Sequence, residues 1–355
     1  MVSSINHQLS RSVARALAGA WRAEPPLLDL TDAELSTVAC YLLDHGGAEF
    51  FWRRIAETPW SQTALAGPVQ EAFRYTSLLA RLHEIWIQRV FEVLRDADIP
   101  AILVKGWGVA RQYPEPGMRP YVDIDIFVDP AGAAHTEATL IAHDCEKYFV
   151  EVHAGPKHLD AEPITDWFAR SSEVQLGKTM IRLPAHEDHF RALCVHWLHH
   201  GAVRAAGLCD IALFIENFGA DMDWDLCLRG SRQRAGWIAC TVGLAHELFG
   251  ANTSLTPLAD AHEKLPRWMV PLVLDIWSDP LGRGAVIPPP LRASLAHPLR
   301  AVRELRARWP PNPLHATIET HGSFNDWPRL PYQAANFVAR TGRFLSQLPK
   351  NLRKR

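Results

Sequence analysis

"YVDIDIFVDP", residues 121–130, places Asp123 and Asp125 two positions apart inside a run of Val, Ile and Phe. Such a run is typical of a buried strand, whereas carboxylates are rarely buried unless they are paired, protonated or bound to a cation. Side chains two apart on a strand share a face, so we expect both aspartates to point together. The residues expected on the opposite, packed face are Val122, Ile124 and Ile126.

Two bare carboxylates on one face repel each other, and a cation between them removes that repulsion. Oxygen ligands of this kind suit Mg²⁺. The alternative is a strand whose polar face is simply wet, with Asp123 or Asp125 paired to Arg119. The pattern therefore leaves two interpretations open, a metal site and an ordinary ion pair.

The flanking sequence favours the metal site. Upstream, residues 102–108, "ILVKGWG", predict a strand that ends in a glycine turn, where backbone N–H groups could approach a phosphate. Downstream, residues 149–155, "FVEVHAG", carry Glu151 and His153 at alternating positions of a further strand. This order of strand, turn, carboxylate strand and second carboxylate strand is the one expected for two-metal phosphoryl transfer.

The periodicity of the chain divides it into four zones. We expect a helical N-terminal region at 1–98, an α/β core at 99–185, a helical domain at 186–280 and a Pro-rich extension with a terminal helix at 281–355. Within the first zone, Thr31 and Glu34 form a predicted capping box for one helix over 32–57, and a second helix ends before Pro100. In the core, strands are predicted at 101–106, 121–128, 147–155 and 178–184, with helices at 109–113 and 130–144.

Composition excludes some classes of function. The 355 residues carry 37 basic and 39 acidic side chains, a net charge of 37 − 39 = −2, so the basic excess of a nucleic-acid binder is missing. The basic tail at 349–355 reads as a solvated terminus, with an anionic partner as the alternative. The six cysteines are scattered, which indicates reduced thiols. With no secretory signal or apolar run long enough for a membrane span, we expect a cytoplasmic protein.

The stretch "ILVKGWGVARQYPEPGMRPYVDIDIFV" resembles the uncharacterised bacterial nucleotidyltransferase family of the polymerase-β-like superfamily. The resemblance continues through "VEVHAG", "LPAHEDHFRALCVHWLHHG" and "LCDIALFI", and it covers roughly residues 75–250. It implies an α+β fold, in which a small mixed-sheet nucleotidyltransferase core is flanked by mainly helical N- and C-terminal regions.

The resemblance also implies roles for particular residues. Asp123, Asp125 and Glu151 would be the catalytic carboxylates and would bind two Mg²⁺ ions. The side chains and turn expected to contact the nucleotide, with ATP as the expected NTP, are Lys105, Gly106, Trp107, Gly108, Arg119 and His153. Among these, His153 could instead orient Glu151, Lys105 could be a solvated strand end, and Trp107 could stack on a base. The family's turn reads Gly-Ser or Gly-Gly, so Gly106-Trp107-Gly108 leaves one phosphate contact unassigned.

The implied reaction moves a nucleoside monophosphate onto a small-molecule, peptide or protein acceptor. By resemblance, the acceptor or partner could be a product of the same operon, such as a peptide that is being modified. One alternative is a catalytically weakened binding or regulatory module, as in a toxin–antitoxin pair. Another is a phosphotransferase that moves the terminal phosphate.

The histidines and tryptophans leave further alternatives open. His196 and His200 lie four apart on a predicted helix and could bind zinc. They could instead line the cleft opposite the carboxylates together with His199, near Asp210, or be ordinary packed histidines. The 13 tryptophans mostly occupy apolar helical settings, which favours packing over base stacking.

Overall fold

The computed structural model describes residues 2–156, 159, 162–279 and 309–352, with side chains described from residue 7 to residue 343 of these ranges. Residues 281–308 of the predicted Pro-rich extension and residues 353–355 of the basic tail lie outside them. The described α-helices are α1 (Val2–Leu17), α2 (Asp32–His45), α3 (Ala48–Ile55), α4 (Ala66–Asp96), α5 (Gly106–Ala110), α6 (Ala133–Ala142), α7 (Ile164–Arg170), α8 (His186–His199), α9 (Gly207–Phe218), α10 (Trp224–Cys227), α11 (Arg232–Phe249), α12 (Met269–Ser278), α13 (Pro313–Glu319) and α14 (Leu330–Leu352).

The N-terminal helices follow the capping and breaking signals of the sequence. Thr31 and Glu34 form the predicted capping box at the start of α2. The single helix expected over 32–57 was wrong, because Gly46 and Gly47 adopt φ values of 89° and 111° and separate α2 from α3. Helix α4 ends at Asp96, before Pro100 as expected.

A small mixed sheet forms the centre of the α/β region. Its strands are β1 (Ile102–Val104), β2 (Ile124–Phe127) and β3 (Val150–His153), in the order β1-β2-β3. Strand β2 pairs antiparallel with β1 and parallel with β3. The α+β fold class, with helical regions before and after this mixed sheet, is therefore confirmed.

The remaining strands form a separate hairpin. Strands β4 (Ser172–Leu176) and β5 (Thr179–Leu183) pair with each other and not with the larger sheet. The sequence predicted β5 but missed β4. Most residues of β4 are polar and exposed, so its apolar signal is weak. The short helix expected at 109–113 begins earlier, at Gly106, so the glycine turn leads directly into α5.

The two faces of the central sheet pack into different cores. Leu103, Ile124 and Ile126 belong to the core that packs under α4 and α6. Ile102, Val104 and Phe127 belong to the larger core that α1, α3, α8, α9, α11 and α12 share. Val122 does not pack as predicted: it precedes β2 and its side chain is 55% exposed. Because side chains alternate along β2, Asp125 lies on the same face as Phe127, toward the larger core.

The helices after the sheet complete the larger core. Helix α8 packs against α9, α11 and α13, and α9 against α11. The terminal helix expected within 281–355 is α14, which packs against α13. None of the helices within the described residues is both long and apolar enough to cross a bilayer.

Candidate active site

The turn between β1 and α5 is held in an unusual backbone conformation. Lys105 adopts φ 56° and ψ −140°, which is rare for a residue with a side chain. Its N–H donates to Nε2 of His189 at 3.0 Å, and the carbonyl of the following residue, Gly106, accepts from Nη1 of Arg119 at 3.3 Å. A Cβ on Gly106 would lie 3.4 Å from the backbone oxygen of Asp123. The turn is thus fixed against both the β2 segment and α8.

His189 acts on this turn as a neutral acceptor. Burial lowers its pKa to about 3, assisted by the positive charge of Arg119. Because Nε2 accepts the Lys105 N–H, the ring proton resides on Nδ1. The sequence showed His189 only as part of "HEDHF", and a contact between residues 84 positions apart could not be read from that pattern.

The carboxylates of β2 and β3 meet on the face that looks toward α8. Asp125 and Glu151 are register partners across the parallel pair. Nε2 of His153 lies 2.7 Å from Oδ1 of Asp125 and 3.6 Å from Oε2 of Glu151. One ligand atom from each of Asp125, Glu151 and His153 lies within 4.8 Å of the others, close enough to hold one metal ion.

Lys105 brings a positive charge to the same cluster. Its Nζ lies 3.0 Å from Oδ1 of Asp125, so the interpretation of Lys105 as a solvated strand end was wrong. Burial alone would raise the pKa of Asp125, but the hydrogen bond from His153 and the ammonium of Lys105 outweigh it and lower the pKa. Asp125 is therefore a buried, ionised carboxylate that a hydrogen bond and an ammonium group stabilise from two sides.

A cavity of about 200 Å³ lies beside this cluster and is lined by Glu151. Glu151, His153 and Lys105 line one side, and three histidines of α8 and its C-terminus line the other. The histidines opposite the sheet are His196, His199 and His200. This is the placement that one of the interpretations of the histidine cluster predicted.

Two of these histidines are neutral at pH 7. Enclosure by the surrounding protein, followed by the charge of Lys105, lowers the pKa of His196 far below its ordinary value. The pKa of His200 falls to about 4, with burial again the largest cause. Neutral imidazoles can each donate and accept a hydrogen bond, so this wall of the cavity is polar and uncharged at these two positions.

Arg119 is not free to meet a phosphate in this structure. Its guanidinium forms a forked ion pair with Asp210 of α9, with Nε and Nη2 both within 2.9 Å of the carboxylate oxygens. Tyr113 donates its hydroxyl proton to the same carboxylate at 2.7 Å. Burial opposes the charge of Arg119, but Asp210 outweighs it and raises the pKa of Arg119. Arg119 thus connects the glycine turn to α9, a link the sequence did not reveal.

Three other predicted residues occupy different surroundings from those expected. Asp123 is exposed, precedes β2 and stays outside the group formed by Asp125, Glu151 and His153; its charge acts on His83 instead. Trp107 is buried in the core under α4, with its Nε1–H directed to Glu84, so its ring is not presented to a base. Gly108 is needed for close packing, because a Cβ there would lie 3.1 Å from the His189 ring.

A second group of possible ligands lies at the edge of the cavity. Nε2 of His199 is 2.9 Å from Oε1 of Glu319, and Nδ1 of His315 donates to the carbonyl of His199 at 2.6 Å. Atoms of these three residues also lie within 4.8 Å of one another. Since the side chains already satisfy one another across α8 and α13, we interpret the group as a link between these helices, and the zinc interpretation gains no support from His196 and His200.

A glycine turn after β1 and carboxylates on neighbouring strands are the elements that the resemblance in the sequence implied for a nucleotidyl-transfer core. The chain belongs to the family described as "Uncharacterised nucleotidyltransferase": the model of this family matches residues 32–159 and 146–250. Nucleotidyl transfer from a nucleotide substrate is accordingly the general function that this family indicates. No curated protein and no solved structure matches the chain.

Proposed function

We propose that this chain is a Mg²⁺-dependent nucleotidyltransferase that moves a nucleoside monophosphate from an NTP, ATP being the first candidate, to the hydroxyl of a small molecule or peptide. The observation that carries this proposal is the register pair of Asp125 and Glu151, beside a cavity that Glu151, His153 and Lys105 line. Of the two cavities described, only this one is lined by both a carboxylate and a lysine, Glu151 and Lys105.

The donor chemistry fits a hard divalent cation. Asp125 is ionised and Glu151 is more than half exposed, so two carboxylates are available beside the His153 imidazole. Asp125 and Glu151 would hold the ion. Asp123, the residue before β2, would join them as a ligand when the nucleotide binds. When bound, the ion neutralises negative charge on the phosphates.

Side chains of this protein account for the other requirements of the reaction. Lys105 exchanges its contact with Asp125 for one with the triphosphate, as a point charge suited to phosphate. Glu151 takes the proton of the acceptor hydroxyl as the bond from that oxygen to the α-phosphorus forms. The bond between the α-phosphorus and the bridging oxygen breaks, and pyrophosphate leaves with that oxygen. The apolar walls formed by Phe127, Leu159 and Val195 limit access of water.

The dimensions of the cavity restrict the acceptor. About 200 Å³ is below the 300–1,000 Å³ usual for sites that enclose a whole drug-sized ligand. It suits the reacting end of an acceptor, such as a side-chain hydroxyl of a peptide, with neutral His196 and His200 as hydrogen-bonding partners. An operon-encoded peptide is the first acceptor to test.

The contact between Lys105 and Asp125 also supports a second candidate. A carboxylate already paired with a lysine and hydrogen-bonded to a histidine is what a weakened, regulatory member of the family would retain. Such a protein would bind a nucleotide or partner without turnover. A phosphotransferase is the third candidate and differs in which bond of the triphosphate breaks.

One labelling experiment separates these candidates. The purified protein is incubated with Mg²⁺, operon-encoded acceptors and NTP labelled on either the α- or the γ-phosphate. The proposal predicts transfer of the α label, an acceptor mass gain of one nucleotide and release of pyrophosphate, all lost in Asp125→Asn. Transfer of the γ label with release of NDP identifies a phosphotransferase. Nucleotide binding without any transfer, together with full biological effect of Asp125→Asn, identifies the regulatory module.

A further inference from the structure

Helix α4 carries an exposed apolar stripe on the side that faces away from the sheet. Its inward face is buried and includes Ala80, His83 and Ile87. On the outward face, four large side chains remain exposed, and Leu78 is 72% exposed. The exposed residues of this stripe are Tyr75, Leu78, Leu82 and Ile85. Large apolar side chains aligned on one helix face indicate an interaction surface and not scattered surface hydrophobics.

The spacing of the stripe is that of a helix–helix seam. The four residues follow one another at intervals of 3, 4 and 3, which is the a/d spacing of a heptad pattern. Exposed charged residues continue the same seam at intervals of 4 on either side, Glu71 before it and Arg89 after it. In chain order, the seam therefore consists of Glu71, the four apolar residues and Arg89.

Two copies of this seam are complementary to each other when the helices run antiparallel. Glu71 and Arg89 lie nine positions before and after Ala80, Tyr75 and Ile85 lie five, and Leu78 and Leu82 lie two. Two copies of α4 can align antiparallel about a twofold axis that passes the outward face of the helix at the level of Ala80. Glu71 of one copy then meets Arg89 of the other at both ends. Apolar residues then meet apolar residues at every position between. A parallel pair would instead bring Glu71 against Glu71.

We propose that two copies of this chain associate through an isologous, antiparallel α4 interface. The charge pairing at both ends of the seam selects a second copy of the chain as the partner, since a twofold axis creates both pairs at once. The guanidinium nearest the axis, that of Arg81, has an intramolecular partner in Glu84 at 2.9 Å. The sheet face that carries Asp125 looks away from α4, so both cavities stay open in the dimer.

Sedimentation velocity of the full chain at micromolar concentrations tests this interface without any assay of activity. The wild type is expected to be a dimer, and Leu78→Asp a monomer. Leu255→Asp, at another exposed leucine outside α4, is the matched control and keeps the dimer. Circular dichroism and the melting temperature show that each variant is folded. A monomeric wild type, or a folded Leu78→Asp variant that still dimerises, overturns the proposal.

Charge reversal tests the antiparallel register itself. Glu71→Arg and Arg89→Glu each place like charges together at both ends and should raise the dimer Kd about tenfold. An equimolar mixture of the two variants restores opposite charges at both ends and should form heterodimers of near wild-type affinity. The double variant, which carries both substitutions, also restores opposite charges and should form homodimers of near wild-type affinity. If neither the mixture nor the double variant recovers affinity, the antiparallel register is wrong.

Discussion

Nζ of Lys105 lies 3.0 Å from Oδ1 of Asp125, the oxygen that also accepts the hydrogen bond from His153. A lysine from the strained turn thus neutralises the buried carboxylate to which the proposal assigns a metal ion. The same contact makes Lys105 a competitor of that ion and a ready partner for a phosphate. Removal of the ammonium should therefore affect metal and nucleotide in opposite directions.

Lys105→Met should bind Mn²⁺, used as a probe of the site without nucleotide, about tenfold more tightly, because a positive charge that competes with the ion for Asp125 is removed. The same variant should bind the nucleotide more weakly. Titration calorimetry measures both affinities, and Lys105→Arg is the charge-preserving control. Unchanged Mn²⁺ affinity would show that Lys105 and the ion do not share Asp125.

Asp123 and Glu151 should differ in their effect on the bare ion. Glu151 belongs to the cluster around Asp125, whereas Asp123 stands outside it. We expect Glu151→Gln to weaken Mn²⁺ binding without nucleotide by about tenfold, as loss of one carboxylate ligand implies. Asp123→Asn should leave that binding unchanged and weaken only the binding of Mg²⁺-ATP. Equal losses for both variants in the absence of nucleotide would contradict this division of roles.

The ion pair between Arg119 and Asp210 should stabilise the whole fold. Arg119→Met leaves Asp210 buried with only the Tyr113 hydroxyl, and removal of one partner of a buried pair costs about 3–5 kcal/mol of unfolding free energy. The double variant Arg119→Met with Asp210→Asn should recover part of that loss. Urea unfolding of the wild type, the two single variants and the double variant measures the free energies of this double-mutant cycle. If the loss in the double variant equals the sum of the losses in the single variants, the two residues do not interact.

His189 should make stability depend on pH in the acidic range. Its pKa is about 3 in the folded protein, below its ordinary value of 6.5, so only the unfolded chain takes up the proton between these limits. The contribution of His189 to the free energy of unfolding is therefore full above pH 6.5. It falls as the pH drops toward 3, by up to about 1.4 kcal/mol per pH unit.

His189→Gln isolates this effect, because glutamine keeps an acceptor for the Lys105 N–H but does not titrate. His196 and His200 titrate in both proteins, so their contributions cancel in the comparison. The difference in unfolding free energy between wild type and variant should shrink from pH 7 to pH 4. A difference that is constant over this range would show that His189 is not held neutral.

The strand and turn signals were predictable because they are local. Ile124, Ile126 and Phe127 are apolar as a buried strand requires, and Thr31 with Glu34 forms a cap within one turn. The juxtaposition of Glu151 with Asp125 also followed, since consecutive carboxylate strands of this kind lie side by side. The α+β class and the site-facing surface of the sheet were thus within reach of sequence reasoning.

What the sequence missed depends on tertiary contacts and on where an element begins. Strand β2 begins at Ile124, so strand alternation does not extend to Asp123 and the expected aspartate pair is not formed. Arg119 meets Asp210 across 91 positions of sequence, and no local pattern marks that partner. Trp107 follows a glycine, which suggested a surface turn, yet its ring enters the core under α4.

The central claim is that Asp125 is the principal carboxylate of a nucleotide and metal site. Titration calorimetry of Mg²⁺-ATP with wild type and Asp125→Asn, both checked for an intact fold, tests it most directly. The wild type should bind only when Mg²⁺ is present, and Asp125→Asn should lose affinity by at least about tenfold, as loss of a charged ligand at a metal site implies. Equal binding of Mg²⁺-ATP by the two proteins would contradict the account.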